Sequence, residues 1–577
     1  MLLDTLKYFL RPYKRLVIFT LILLAIQAIA NLYLPALNAD LINKGVATGD
    51  ISYIWHIGLW MLLSAVLVLI ASLIVAYLSA QISMGFGRDV RRDVFTAVER
   101  FSARELNQFG APSLITRNTN DVQQVQMVLF TGLTMMISAP ITGVGALIMA
   151  VKTNVQMSWI LVVVIPITSL IIWLLLRRIV PLFRLMQIRI DRINLVLREQ
   201  ISGIRVIRAF VRTEREESRF NDANTDLLDN TLKVTRTFSV MFPILGLILN
   251  LSSVAVIWIG AYLIGDGSMS IGNLTAFLAY LMQILSSVMM AVMMSLMIPR
   301  AATSAERIQE VLRTNTSVVE SPDPVTTQYS TGLIEFRDVE FRYPGAQDPV
   351  LENISFTAER GKITAIVGST GSGKTTLLNL ITRLIDVSSG SILIDGVDLR
   401  EQSLEKLWQK IGLVPQRAFL FGTTIAENLR YGDADATNEQ LWHALEIAQA
   451  KDFVLELPDQ LETVISQGGT NLSGGQRQRI SIARALVKKA SIYLLDDSFS
   501  ALDYSTDAKL RVALEPELAQ STVIIVGQRI SSIMHADQIL VLDEARVVGV
   551  GTHVELMETC QTYKEIVLSQ LSPQEAS

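Results

Sequence analysis

At 577 residues the chain is too long for one domain. With 50% hydrophobic and only 18% charged residues, and a mean hydropathy of +0.40, it is too apolar for an ordinary soluble protein. A net charge of −4 gives no global basis for binding nucleic acid, and a single cysteine, Cys560, excludes an internal disulfide framework and a multi-cysteine zinc site. The four histidines (His56, His443, His535, His553) are scattered without metal-ligand spacing.

The N-terminal MLLDTLKYFLRPYKR is charged, but the apolar stretch after it is too long for the core of a cleavable signal. Six uncharged stretches then follow, each long enough for a bilayer, which needs about 20 apolar residues. They are Leu16–Ala39, Ile57–Gly87, Val128–Val151, Met157–Leu176, Thr237–Gly265 and Gly267–Pro299. Six such runs fit spans better than the buried helices of a soluble core.

The flanks set an orientation. Lys7, Arg11, Lys14 and Arg15 precede the first stretch, six arginines from Arg88 to Arg117 follow the second, and eleven from Arg177 to Arg219 follow the fourth. The other connections hold Lys44, Lys152 and no basic residue, respectively. This alternation predicts both termini in the cytoplasm. The two basic connections keep a helical pattern, so they read as continuations of the spans, broken at Gly110–Pro112 and near Gly203–Thr213. Their tips either bind anionic lipid or dock on the second half of the chain and carry force. Pro35, Pro140, Pro166, Pro243 and Pro299 fall in or beside spans, as hinges or, the favoured reading, as residues tolerated there. Met282, Met289, Met290, Met293, Met294 and Met297 in the sixth span suit a surface for varied ligands, or merely fill gaps between helices.

Residues 314–332 are polar, contain two prolines and read as a linker; the expected domains are therefore 1–313 in the membrane and 333–577 beyond it. Strand and helix patterns alternate from Leu333 onward, predicting an α/β fold on a mostly parallel sheet. Within it, Gly368–Thr376 reads GSTGSGKTT, fitting G-x-x-x-x-G-K-[ST] between a short apolar strand, Ile363–Val367, and a helical stretch. Gly368, Ser369, Thr370, Gly371, Ser372 and Gly373 would turn backbone N–H groups toward phosphates, with Thr376 in the following turn. Lys374 would reach the β- and γ-phosphates, and the Thr375 hydroxyl would ligate Mg²⁺. Asp496 ends an apolar strand and is placed to hold the metal through water; Asp497 follows it. Leu472, Ser473, Gly474, Gly475 and Gln476 read LSGGQ at the start of a helix, offering further donors to phosphate. Tyr343 lies in FRYP, Gln416 follows the strand IGLVP, and Ser500–Asp503 reads SALD.

On these motifs the chain resembles a bacterial ABC transporter half-subunit of the exporter type, along essentially its whole length. The resemblance implies a multidomain fold: an all-α six-helix transmembrane bundle with long cytoplasmic helix extensions, followed by an α/β P-loop ATPase domain. It implies ATP and Mg²⁺ as cofactors, and a second ABC half-transporter as partner in the cytoplasmic membrane. Tyr343 would stack on adenine and Gln416 would sense Mg²⁺. Ser473, Gly474 and Gly475 would contact the γ-phosphate held by the opposite subunit, and Asp503 would couple the two sites. Cargo would be small amphipathic or hydrophobic compounds such as drugs, lipids or peptides, which the scarcity of ionisable residues in the spans favours. An importer on the exporter architecture and an ATP-gated channel are competing expectations.

The sequence departs from the family at three positions. Asp497 stands where Glu usually polarises the attacking water, Gln528 where a switch His is usual, and Gln467 where Glu usually precedes the signature. Position dominates phosphoryl transfer, and a displacement of about 1 Å costs on the order of a hundredfold. A neutral amide cannot supply an imidazolium charge. The signature is intact, so the expectation is a heterodimer: this chain contributes a degenerate site that holds ATP firmly, and its LSGGQ completes the mate's competent site. A homodimer turning over slowly on Asp497 is the alternative.

Overall fold

The computed structural model describes residues 2–325 and 331–571. Linker residues 326–330 and the last six residues of the expected ATPase domain, 572–577, lie outside the described residues. By internal contacts the chain forms two compact units, Met1–Glu99 with Pro112–Thr314, and Arg100–Ala111 with Asn315–Ser577.

The first unit is helical: α1 Leu2–Phe9, α2 Lys14–Asp40, α3 Ile51–Glu99, and, in the second unit by contacts, α4 Ala103–Phe109. It continues with α5 Ala111–Thr116, α6 Val122–Thr131, α7 Ser138–Thr153, α8 Trp159–Ala209, α9 Thr213–Gly265 and α10 Ile271–Arg313. Among the described residues, six continuous helical segments are long and apolar enough to cross a membrane. At 49, 51 and 53 residues, α3, α8 and α9 run roughly 75–80 Å, more than twice the hydrocarbon thickness, so the basic stretches extend the spans as expected. The turn between α8 and α9 is Phe210–Arg212, inside the expected window.

Pro35, Pro166, Pro243 and Pro299 lie within continuous helices. Pro140 is the third residue of α7, where a missing N–H removes no intrahelical bond. Three π-helical turns interrupt the columns, at Leu41–Val46, Arg117–Asp121 and Gly132–Met136. The middle one is tied to α10: Asp121 accepts from Ser304 Oγ at 3.0 Å and pairs with Arg307 at 3.2 Å, while Arg117 pairs with Glu310 at 2.7 Å. Phe277, Tyr280 and Leu281 of α10 pack with Leu32, Ala146, Met157 and Leu161 in the bundle core.

Among the described residues the second unit has ten strands: β1 Ile334–Phe341, β2 Leu351–Ala358, β3 Ile363–Gly368, β4 Ser389–Ile394, β5 Val397–Asp398, β6 Ile411–Val414, β7 Ile492–Asp496, β8 Thr522–Val526, β9 Gln538–Asp543 and β10 Arg546–Gly551. The main sheet has the order β10-β9-β3-β8-β7-β6, parallel except for the β9–β10 edge. Its central strands are buried on both faces. Along β3, Ala365 and Val367 enter one core while Ile366 enters the other, as the two-residue period of a strand dictates. A four-stranded antiparallel sheet, β2-β1-β4-β5, covers that second core; the alternating pattern of Leu333–Phe341 marked a strand but not this separate layer.

The break at Arg100–Ser102 and Gly110 isolates α4, which is capped by Ser102 and Glu105 in a capping box. Ser102 Oγ meets Ser317 Oγ at 2.9 Å, and Ala103 N–H donates to the Leu384 carbonyl at 3.1 Å. The tip of the first basic connection thus belongs by contact to the compact unit of the ATPase motifs.

Candidate functional site

The glycine-rich loop leaves β3 at Gly368 and enters the helix Lys374–Ile381, and close backbone approach explains its glycines. A Cβ on Gly368 would lie 2.1 Å from the Leu542 carbonyl. Gly373 has φ +95°, and a Cβ there would lie 2.7 Å from Leu351 and 2.8 Å from the Val350 carbonyl. Ser369, Thr370, Gly371 and Ser372 form the exposed-to-buried arc between them.

Lys374 is buried and bends back over the arc, donating from Nζ to the carbonyls of Gly368 at 2.8 Å and Ser369 at 2.7 Å. Burial pulls its pKa down, against the attraction of Asp496 and Asp497. The next residue, Thr375, donates from Oγ1 to Asp496 Oδ2 at 3.0 Å, joining the first turn of the helix to the end of β7. Asp496 is buried, and burial pushes its pKa up; the Thr375 bond and Lys374 pull it back only in part. One carboxylate and one hydroxyl, with the carboxylate's charge undercompensated, suit a small hard cation that also carries phosphate and water ligands. The loop and this pair therefore fit a Mg²⁺-nucleotide.

Asp497 has φ +47°, a left-handed conformation that Asp adopts more readily than most residues. Its Oδ2 faces Gln416 Nε2 at 3.4 Å, so β7 and the end of β6 bring the two together. Tyr343 leans on the same helix, its hydroxyl 3.1 Å from Thr376 Oγ1 and its ring edge-on to Phe341 at 4.8 Å.

The signature residues form a second cluster. Ser473 caps the helix Gly474–Val487, with Gln476 completing the capping box; the Ser473 N–H donates to Gln476 Oε1 at 2.9 Å, and the Gln476 N–H to Ser473 Oγ at 3.2 Å. Leu472 precedes the cap and is buried. Gly475 faces the Ala501 carbonyl, where a Cβ would come to 3.2 Å. Asp503 caps the helix Tyr504–Leu518, accepting from the Thr506 N–H at 2.9 Å and from Ser505 Oγ at 2.7 Å; these bonds hold its carboxyl far below the usual range. Among the described residues no hydrogen bond joins Leu472–Gln476 to Gly368–Thr376. The two clusters are therefore not joined by hydrogen bonds within the chain.

Comparison with known proteins bears directly on this arrangement. Residues 17–288 match the ABC transporter transmembrane region family, and residues 351–500 match the ABC transporter family. An uncharacterized ABC transporter ATP-binding protein of Mycobacterium tuberculosis is 45% identical over 99% of this chain and 98% of its own length. The chain is an ABC transporter. It is fused membrane domain to ATPase domain, and it is an exporter-type bacterial half-transporter. An ATP-dependent lipid A-core flippase of Vibrio vulnificus is 30% identical over 97% of this transporter and 96% of the flippase. A bacterial Atm1-family ABC exporter solved with ATP bound shares the fold at TM-score 0.80, with 22% identity, 97% of this chain and 98% of that chain covered.

In this ABC transporter, the residues around Gln528 went unmarked by motif. Arg529 donates to the carbonyls of Leu502 at 3.2 Å and Ser500 at 2.9 Å and stands over the Tyr504 ring at 5.4 Å, tying the switch segment to SALD. Its adjacency to Gln528 was the available signal. Gln570, which brackets Gln528 from 42 residues away, carried none.

Proposed function

We propose that this chain is the degenerate-site half of a heterodimeric exporter that moves amphipathic or hydrophobic compounds outward across the cytoplasmic membrane. In this reading 1–313 is the membrane domain, 314–332 the connection and 333–577 the ATPase domain, with both termini in the cytoplasm. The observation that carries it is the pairing of a complete phosphate loop with Asp497 and Gln528 in one half-site, beside an intact capped signature in the other.

Gly368–Gly373 and Lys374 hold the phosphates, Tyr343 packs the base, and Thr375, Asp496 and Gln416 hold the metal side. Bound Mg²⁺-ATP supplies the phosphoanhydride whose hydrolysis drives the cycle and the metal charge that offsets the phosphates. Asp497 retains a carboxylate for the attacking water, but one methylene short. Gln528 offers a neutral hydrogen bond in place of a charge. Both changes slow turnover while leaving affinity. Ser473, Gly474 and Gly475 would face the mate's nucleotide, with the mate's Glu and His completing the faster site, and Asp503 would relay between the sites.

The experiment is to purify the chain alone and with a similar chain encoded beside it. The isolated chain should turn ATP over slowly and the pair briskly, with export in inverted vesicles. Brisk turnover by the isolated chain would replace the heterodimer with a homodimer.

A further inference from the structure

The helix α1 stands just outside the first span, joined to α2 by the short turn Arg11–Tyr13. Two buried side chains fix it in place. Phe9 sits edge-on to Phe86 of α3 at 5.9 Å, and Thr5 accepts from Gln309 Nε2 of α10 at 2.7 Å. Phe86 is the penultimate residue of the second uncharged stretch, so the C-terminal end of α1 lies at the edge of the hydrocarbon. Leu3 and Tyr8 of α1 are exposed, as suits an element that rests in the lipid interface.

A cavity of about 540 Å³ opens between α1, Asp93 of α3 and the end of α10. Lys7, Arg11 and Arg313 line it, and among the described residues none of the three makes a side-chain hydrogen bond or an ion pair. Two carboxylates share the lining. Asp93 is already held by Arg92, whose Nε and Nη2 both donate to its Oδ1 at 3.0 Å. Asp4 lies in the field of Lys7 and Arg313. The cations therefore outnumber the carboxylates, and like charges gathered around one space repel one another until an anion enters.

We propose that this cavity holds the phosphate of an anionic phospholipid, with the acyl chains leaving along α1 at Leu3 and Tyr8. The guanidiniums of Arg11 and Arg313 suit phosphate oxygens, and Lys7 adds a point charge. A phosphatidylcholine or phosphatidylethanolamine head brings its own cation, which would meet the same three positive groups, and Asp4 already answers two of them. A soluble phosphate ester could make the same contacts but has no chain to hold it at the interface. A lipid bound here ties the first span to α10, the helix that runs into the connection at Thr314. The assignment needs the membrane spans alone, not the direction of transport or the identity of the mate.

The test uses the purified transporter in detergent and counts bound lipids by native mass spectrometry. The probes are dilauroyl phosphatidylglycerol, dilauroyl phosphatidylcholine, dilauroylglycerol and glycerol phosphate. Phosphatidylglycerol should bind saturably and tightest. Lys7→Gln, Arg11→Gln and Arg313→Gln should each weaken it about fivefold, the worth of one basic residue beside an anionic lipid. Arg178→Gln, next to the fourth uncharged stretch but outside the cavity, should leave it unchanged. Equal affinity for phosphatidylcholine or dilauroylglycerol, or binding of glycerol phosphate without phosphatidylglycerol, overturns the assignment. So does unchanged affinity in all three cavity variants, or an equal loss in Arg178→Gln. A phosphatidylglycerol carrying a diazirine beside its phosphate gives a reading that needs no variant. Its crosslinks on the parent should fall within residues 1–15, 88–95 and 301–313; crosslinks confined to other segments overturn the assignment as well. None of these failures would touch export or the heterodimer, which are read from turnover and vesicle transport.

Discussion

The side-chain amide of Gln570 clasps the backbone at Gln528, donating from Nε2 to the Gln528 carbonyl at 2.8 Å and accepting at Oε1 from the Ile530 N–H at 2.9 Å. The end of the chain thereby fixes the backbone of the residue that stands where the family's switch His is usual. The Gln528 carbonyl is near solvent but Ile530 is buried, so Gln570→Ala leaves the Ile530 N–H without its partner and should cost about 1–3 kcal/mol. The position of Gln528 should suffer as well. ATP affinity at this half-site is expected to fall several-fold, measured by binding of a fluorescent ATP analogue to the complex.

Restoring the two family residues should restore chemistry. Asp497→Glu with Gln528→His is expected to raise the ATPase rate of the isolated chain by at least about tenfold, since placement of the water-orienting carboxylate dominates this reaction. Either change alone should yield less than half of that gain on a logarithmic scale. In the proposed heterodimer, Asp497→Asn should reduce transport less than removal of the mate's Glu.

Asp496 predicts a pH dependence. Its pKa is raised in the folded chain by burial, so in the absence of metal the folded state binds more protons than the unfolded one, and stability falls as pH rises above the ordinary aspartate value. Below that raised pKa a bound cation must displace the proton. Mg²⁺-dependent ATP affinity should therefore decline on acidification at a higher pH than an ordinary aspartate would give, approaching about tenfold per pH unit below the raised pKa. Asp496→Asn should flatten this profile and abolish the Mg²⁺ requirement along with tight binding; titration of nucleotide affinity against pH and Mg²⁺ measures both.

Arg529→Ala removes two charged hydrogen bonds to Ser500 and Leu502 and a ring contact with Tyr504. The expected loss is about 1–2 kcal/mol in ATPase-domain stability, read by thermal melting. Because Gly475 packs against Ala501 in the same segment, ATP turnover of the assembled transporter should also fall. A variant that melts lower while leaving turnover intact would confine Arg529 to stability.

Cys560 is the only cysteine and is buried, which makes orientation simple to test. In a Cys560→Ala background, a cysteine at Gly267 should react with membrane-impermeant maleimide on intact cells, and one at Val211 should react only after lysis. The reverse pattern would invert the topology drawn from the arginines.

Much of this protein was legible in residue order. A membrane span announces itself by about twenty uncharged apolar residues, and the arginine bias between spans depends on composition alone. The phosphate loop, LSGGQ and the Asp496–Asp497 strand end are local too, because each needs its residues within one strand–turn–helix junction. What depended on distance along the chain was legible only where a motif carried a family role, as for Thr375, Asp496 and Gln416 on the metal side. Physically Thr375 meets Asp496, and Gln416 meets Asp497, because β3, β7 and β6 lie in one sheet whose order is unrelated to sequence order. The antiparallel sheet that closes the second core, and Gln27 and Gln283 lining one space, left no such mark, whereas docking of a basic tip on the second half of the chain was one of two expectations and α4 grouping with residues 315–577 agrees with it. No periodicity within a segment encodes which distant segment it will face; burial of apolar surface and pairing of polar groups across the assembled fold decide that.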